Sequence, residues 1–212
     1  MRIDFPHLFL VPFSGILSEI SRHGAAMKID RRCSLIAAHA LRCLEDVPSQ
    51  QADRLCRWLQ ASAPIFCAAQ GRSGYILRCF CMRLMHMGYC AHFAGDTVTP
   101  PIGEGGVLVV LSGSGRTSCT CSLVERAKSA GGRTFGILGT KYSPMEAHLD
   151  AVIHIPVVQV EEAGADDEPF VQALGSPFEQ AAFLFLEGVS HALFVRQGSD
   201  QRMLQQRHTN LE

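Results

Sequence analysis

The stretch VLVVLSGSGRTSCTCSL, residues 107–123, constrains this chain more than any other part of it. Val107–Leu111 is an unbroken apolar run rich in β-branched side chains, the pattern of a strand buried on both faces. Ser112-Gly113-Ser114-Gly115 breaks the run with a turn, and Cys119, Leu123, Ala127 and Ala130 then recur at helical spacing. A buried strand, a Gly-rich turn and a helix N-terminus together make an anion site, because backbone N–H groups converge there and the helix dipole favours negative charge. Gly113 and Gly115 let the backbone turn tightly and approach a ligand. Ser112, Ser114 and Thr117 add hydroxyls that donate to phosphate oxygens without introducing a full charge. No Gly-Lys-Ser/Thr follows, so the loop is not of the nucleoside-triphosphate kind.

Composition narrows the partners. The 212 residues are 47% hydrophobic, enough for one well-buried domain. The net charge is −1 with both signs interspersed, which leaves no basic stripe for a nucleic acid. The apolar patch Leu8–Phe13 is too short to span a membrane, and the apolar segment Ala181–Val195 carries Glu187 and His191, so no membrane partner is expected. Nine cysteines in so apolar a chain read as free thiols of a cytoplasmic protein, with Cys67, Cys79, Cys81, Cys119 and Cys121 as small buried hydrophobes. Cys79-x-Cys81 and Cys119-x-Cys121 lack the spacing of a zinc site, since residues two apart on a helix diverge by about 200°. No metal or other cofactor is expected.

Periodicity divides the chain into residues 1–48, an arm with helices; 49–200, the main domain; and 201–212, a polar tail expected to fray. Residues 1–13 read as irregular, Ser14–Gly24 as a short helix, and Asp30–Leu44 and Ser49–Ser62 as longer ones forming a partner-facing layer. From Pro64 the pattern becomes strand–loop–helix. Strands are expected at Ile65–Ala69, Tyr89–Ala94, Val107–Leu111, Thr134–Leu138 and Ala151–Ile155. Helices are expected from the Gly71 loop to Gly88, from Arg116 to Gly131-Gly132, briefly near Pro144–Leu149, and from Pro177 to Val195. The acidic run Glu161–Glu168 reads as a solvated loop. This alternation implies an α/β fold, a three-layer sandwich on a five-stranded parallel sheet. The loops carrying Gly71-Arg72-Ser73-Gly74, Asp96-Thr97-Val98-Thr99 and Ser112–Thr117 then share the carboxyl edge of the sheet, where such folds bind ligands.

The segments Gly71-Arg72-Ser73-Gly74, Met82-Arg83-Leu84-Met85-His86-Met87-Gly88, Thr97-Val98-Thr99-Pro100, Ile102-Gly103-Glu104-Gly105, Ser112–Thr117 and Gly175-Ser176-Pro177-Phe178-Glu179-Gln180 occur in that order. In this they resemble sugar isomerase (SIS) domains, and specifically the 6-phospho-3-hexuloisomerases, over most of residues 64–195. The resemblance implies a flavodoxin-like five-stranded parallel sheet and interconversion of 3-hexulose 6-phosphate and fructose 6-phosphate. It places phosphate binding on Ser112, Ser114, Thr117 and Ser73, the catalytic carboxylate on Glu179 and a histidine on His86. It also implies a phosphorylated sugar as substrate. The helices before residue 63 carry apolar faces that a compact sheet shelters only in part, so a homo-oligomer, a dimer or tetramer, is expected. Ser176 stands where the family commonly has Thr, which keeps the hydroxyl.

The chemistry implied, moving a carbonyl to the adjacent carbon through an enediolate, needs one carboxylate and no redox cofactor. Glu179 suits it, although a first-turn Glu is favoured at any helix N-terminus. His86, near a helix C-terminus where the dipole favours the imidazolium, would move a hydroxyl proton, or else cap the helix. Arg72 would neutralise phosphate or pair on the helix face; Asp96, Thr97 and Thr99 would bind sugar hydroxyls or cap their turn. Met82, Met85 and Met87 read as core packing, and His92 and His154 as locally hydrogen-bonded strand residues. The alternatives are another SIS isomerase, acting on a pentose or heptose phosphate, and a non-catalytic sugar-phosphate sensor.

Overall fold

The structure is a computed structural model that describes residues 29–158 and 171–211. The expected arm 1–13, the helix at 14–24 and the acidic run 161–168 lie outside the described residues. Two helices, α1 (Ile29–Glu45) and α2 (Ser49–Ala61), lead into the alternating part. There β1 (Ile65–Ala68), α3 (Gly71–His86), β2 (Ala91–Phe93), β3 (Val107–Ser112), α4 (Ser118–Ser129), β4 (Arg133–Leu138), a 3₁₀ turn (Pro144–His148) and β5 (Ala151–His154) follow one another. The chain then runs into α5 (Ser176–Arg196) and α6 (Gln201–Gln206). All strand pairings are parallel, in the order β2-β1-β3-β4-β5, with Ile65 opposite Ala91 and Val107, Val107 opposite Arg133, and Phe135 opposite Ala151. This is the five-stranded parallel α/β sheet expected from the sequence.

The period of two along each strand divides the core. Ile65, Cys67, Val107, Val109, Leu111, Phe135, Ile137 and Ile153 face one side, where α1, α2, α3 and α5 bury Ala40, Cys43, Leu55, Leu59, Leu77, Phe80, Ala182 and Val189 against them. Phe66, Ala68, Leu108, Val110 and Leu138 face the other side, covered by Val124 and Ala127 of α4 and by Met145. The sheet is therefore thickly clad on one face and thinly on the other.

Several expectations change for identifiable reasons. The strand expected over Tyr89–Ala94 is only Ala91–Phe93. Gly88, at φ +91°, ends α3 in a turn in which the Gly88 and Tyr89 N–H groups donate to Met85 O and Leu84 O, so Tyr89 belongs to the helix cap. Helices α1 and α2 are not a free partner-facing layer, because their apolar faces are buried within the chain. The tail does not fray over Gln201–Gln206: Asp200 accepts the Met203 N–H at 2.9 Å as an N-cap. Beyond that helix the His208 ring stacks on His86 with centroids 5.1 Å apart. Met87 is buried, but Met82 and Met85 are exposed beside the short edge strand β2, which leaves them nothing to pack under. Cys79 and Cys119 are exposed and Cys121 is half-buried, whereas Cys67 and Cys81 are buried as expected. Among the described residues no helix is long and apolar enough to cross a membrane.

Candidate functional site

The strand order reverses direction between β1 and β3, which are neighbours in the sheet although β2 lies between them in sequence. Chain leaving β1 and chain leaving β3 therefore part to opposite faces, and a crevice opens between their loops at the carboxyl edge. The first wall is Gln70 and the first turn of α3, with Gly71 at φ +58° and Arg72 and Ser73 following it. The second wall is Ser112–Thr117 and the first turn of α4. The Gln70 side-chain amide spans them, with Nε2 3.6 Å from Cys119 Sγ.

The Ser/Gly loop is folded on its own hydroxyls. Ser112 is buried, and its Oγ accepts the Gly115 N–H at 3.0 Å; Ser114 is exposed, and its Oγ accepts the Arg116 N–H at 3.3 Å. Thr117 is the N-cap residue of α4, but its side chain makes no capping hydrogen bond. That hydroxyl is thus uncommitted to the helix. Gly113 lies under the Phe178 ring, so close that a Cβ there would fall 3.2 Å from Cδ1. Gly115 sits at φ +59°, and a Cβ there would fall 2.1 Å from Ser143 Oγ. Gly115 is required both by shape and by its left-handed backbone, while a Cβ at Gly113 would need the Phe178 ring to shift by a few tenths of an ångström.

Glu179 reaches the same place from the opposite end of the chain. Gly175, at φ +86°, turns the chain into α5; Ser176 and Pro177 form its start, and the Glu179 N–H donates to Gly175 O at 3.0 Å. The Glu179 side chain is 13% exposed, and its Oε2 accepts from Arg72 Nε at 2.5 Å. This pair joins the α5 carboxylate to the residue next to Ser73. Arg72 itself is 71% exposed, so the pair is well screened and serves orientation more than stability.

Other sequence-based candidates fare differently. Thr99 Oγ1 lies 2.8 Å from both Phe93 O and Asp96 O, so its hydroxyl caps the turn rather than facing a ligand. Asp96 is held by Arg78 in a two-point ion pair, which keeps its carboxyl below the ordinary value. Thr97 is exposed on that same loop, one strand removed from the crevice. His86 ends α3, whose rise carries it about 20 Å away from Arg72 and Ser73, to the other edge of the sheet. It does not join the crevice within the chain. Burial, then the neighbouring His208 and Arg83, push its pKa down, against the direction expected of the helix dipole. Glu104, on the loop entering β3, also lies at that far edge. His92 pairs with Cys90 Sγ at 3.4 Å, the local contact expected, whereas His154 Nε2 lies 3.3 Å from Glu146 Oε2 and is buried without a hydrogen-bond partner among the described residues. Among the described residues no cluster of three metal-ligating side chains occurs.

Phe178 and the loop after β4 were not singled out by sequence reasoning, yet both touch the Ser/Gly loop. Phe178 had a signal, its place beside Glu179. The β4 loop had only a glycine at the end of a strand.

A family model described as SIS domain matches residues 59–167. The chain is 38% identical over 184 residues to a 3-hexulose-6-phosphate isomerase of Mycobacterium gastri, across 87% of this chain and 92% of that protein. It is 34% identical over 166 residues to a protein of the same name from Bacillus subtilis, across 78% of this chain and 89% of that one. In three dimensions it is similar to a hypothetical protein of Methanococcus jannaschii, whose crystal structure was described as inferring a 3-hexulose-6-phosphate isomerase function. That match has a TM-score of 0.74 and 28% identity, and covers 85% of this chain and 98% of that one.

The shape of the Ser/Gly loop is open to test. Gly115→Ala forces a side chain into a left-handed backbone and against Ser143, and is expected to lower unfolding stability by about 1–3 kcal/mol. Urea denaturation measures this, and an unchanged midpoint would contradict the loop geometry.

Proposed function

Since the chain belongs to the SIS domain family, we propose that it interconverts 3-hexulose 6-phosphate and fructose 6-phosphate by proton transfer through an enediolate. The observation that supports this reading best is the meeting of three separate chain segments at one crevice. Hydroxyls and amides of the Ser112–Thr117 loop, Arg72 with Ser73, and the Glu179 carboxylate converge there from the ends of β3, β1 and the start of α5. The same geometry separates the tasks, with an anion cradle on one side and a base on the other.

In this reading Ser73, Ser112, Gly113, Ser114, Gly115 and Thr117 hold the phosphate, which anchors C6 and extends the sugar toward Glu179. Glu179 takes the C3 proton of fructose 6-phosphate. The electron pair of that C–H bond forms the C2–C3 double bond, and the C2 carbonyl oxygen becomes the oxyanion of a cis-enediolate. A proton passes from O3 to O2, Glu179 returns its proton to C2, and the carbonyl reforms at C3. One carboxylate on one face serves both transfers, so atoms and electrons balance without an outside oxidant. Arg72, already bound to Glu179, sets the carboxylate's direction and brings positive charge to the enediolate or phosphate. Thr97, one strand removed from the crevice, takes no part in this reading.

His86 takes part only if a second copy presents it, since its own chain holds it at the far edge. We therefore place the enzyme as a homo-oligomer, a dimer or tetramer. Exposed Met82, Met85, Val98 and Tyr75 near the β2 edge supply the apolar surface that α1 and α2 do not. All nine cysteines are free, which fits a reducing cytoplasmic setting.

Glu179→Gln keeps the side-chain shape and is expected to lower turnover at least about 10²-fold. The loss should fall on kcat more than on KM, because the carboxylate acts mainly in the transition state. Steady-state assay of fructose 6-phosphate formation from 3-hexulose 6-phosphate measures it, and near-normal turnover would remove Glu179 from the chemistry. Light scattering at micromolar concentration should give a mass of two or more chains; a single-chain mass would exclude the oligomer.

A further inference from the structure

The loop that follows β4, Gly139–Met145, lies against the Ser/Gly loop from the side away from the crevice. Three carbonyls of the Ser/Gly loop are taken up by it. The Gly139 N–H donates to Ser112 O at 3.2 Å, Thr140 Oγ1 donates to Gly113 O at 3.0 Å, and the Met145 N–H donates to Gly115 O at 3.2 Å. Two of these donors are backbone groups. The third is a side chain, and it lies in a part of the chain to which the proposed reaction assigns no role.

A peptide unit is planar and trans, so its N–H points away from its C=O. Drawing the carbonyls of Ser112, Gly113 and Gly115 toward the β4 loop therefore turns the N–H groups of Gly113, Ser114 and Arg116 the opposite way. Arg116 N–H meets Ser114 Oγ within the loop. Those of Gly113 and Ser114 belong to the two peptide units whose carbonyls Gly139 and Thr140 hold.

The two loops approach as closely as backbones can. A Cβ on Gly139 would fall 2.7 Å from Gly113 O and 3.0 Å from Phe178, so only glycine fits there. Ser143 is 4% exposed, and its hydroxyl fills the space that a Cβ on Gly115 would need, without a hydrogen-bond partner among the described residues. The β4 loop has its own brace: Tyr142, at φ +55°, gives its N–H to Glu146 Oε2 at 2.6 Å.

We infer that Thr140 is a positioning residue for the phosphate cradle: its hydroxyl on the Gly113 carbonyl fixes the Gly113–Ser114 peptide so that the Ser114 N–H faces the anion. Thr140 touches neither the reacting carbons nor the phosphate. It acts through the peptide it holds. The inference rests on the phosphate reading of the Ser/Gly loop.

Thr140→Val removes the donor and keeps the shape, and Thr140→Ser restores the donor. Calorimetric titration of fructose 6-phosphate should show affinity falling roughly three- to tenfold in Thr140→Val, the range of one lost hydrogen bond, with recovery in Thr140→Ser. Inorganic phosphate, titrated alone, should weaken by a similar factor, because the cradle contacts only the phosphoryl group. In steady state the change should fall on KM more than on kcat, and the urea midpoint should stay near that of the parent, since Thr140 is exposed. Unchanged affinity in Thr140→Val would overturn the inference, as would a Thr140→Ser protein as weak as Thr140→Val. Weakened fructose 6-phosphate binding with intact inorganic phosphate binding would also overturn it, by making Thr140 a sugar contact. A parent protein that binds neither ligand would instead refute the phosphate reading itself.

Discussion

The reversal of strand order between β1 and β3 is the constraint on which the rest of this molecule depends. Two neighbouring parallel strands send their chains to opposite faces of the sheet, and the space they leave at the carboxyl edge cannot be filled by either loop. The N-termini of α3 and α4 flank that space, so their backbone donors surround it before any side chain is considered. Short hydroxylic side chains, Ser73, Ser112, Ser114 and Thr117, are added there beside the longer Gln70 and Arg72. The carboxylate comes from a different part of the chain altogether, and Arg72 is the direct bond between it and the α3 wall.

Close approach is the second theme. Phe178 lies over Gly113 and Gly139, so the residue preceding the carboxylate also packs on the loop that would bind phosphate and on the loop behind it. The first turn of α5 and the Ser/Gly loop are in this way set by one aromatic ring as well as by the sheet. The thickly covered face of the sheet anchors α5 along its length, which leaves its first turn as the rigid end of a long buried helix. A carboxylate that must meet a carbon held at a fixed distance from a phosphate benefits from such a mounting.

What could be read in the sequence was what is local. The strand–loop–helix repeat, the Ser/Gly turn and the first-turn position of Glu179 each lie within one short continuous segment and carry their own period or turn chemistry. Met82 and Met85 show the limit: they share helical spacing with Leu and Phe core positions, but β2 is three residues long and nothing covers that flank. His86 looked like a site residue by motif, and only the length and direction of α3 reveal that it lies at the wrong edge of its own chain. Thr140 had no signal, because a threonine after a strand is ordinary until the carbonyl it bonds, 27 residues earlier, is known. The docking of His208 on His86 likewise joins segments far apart in sequence.

The central claim is that a base at this crevice removes a proton from the carbon beside the carbonyl of a 2-ketose phosphate, on the side away from C1. Incubation of the protein with fructose 6-phosphate in deuterium oxide, followed by NMR of the recovered sugar, tests it most directly. The account predicts deuterium at C3, since the enediolate spans C2 and C3 and the crevice is open to solvent. Deuterium at C1, the mark of aldose–ketose exchange through a C1–C2 enediolate, or a sugar that stays unlabelled at C3, would contradict it.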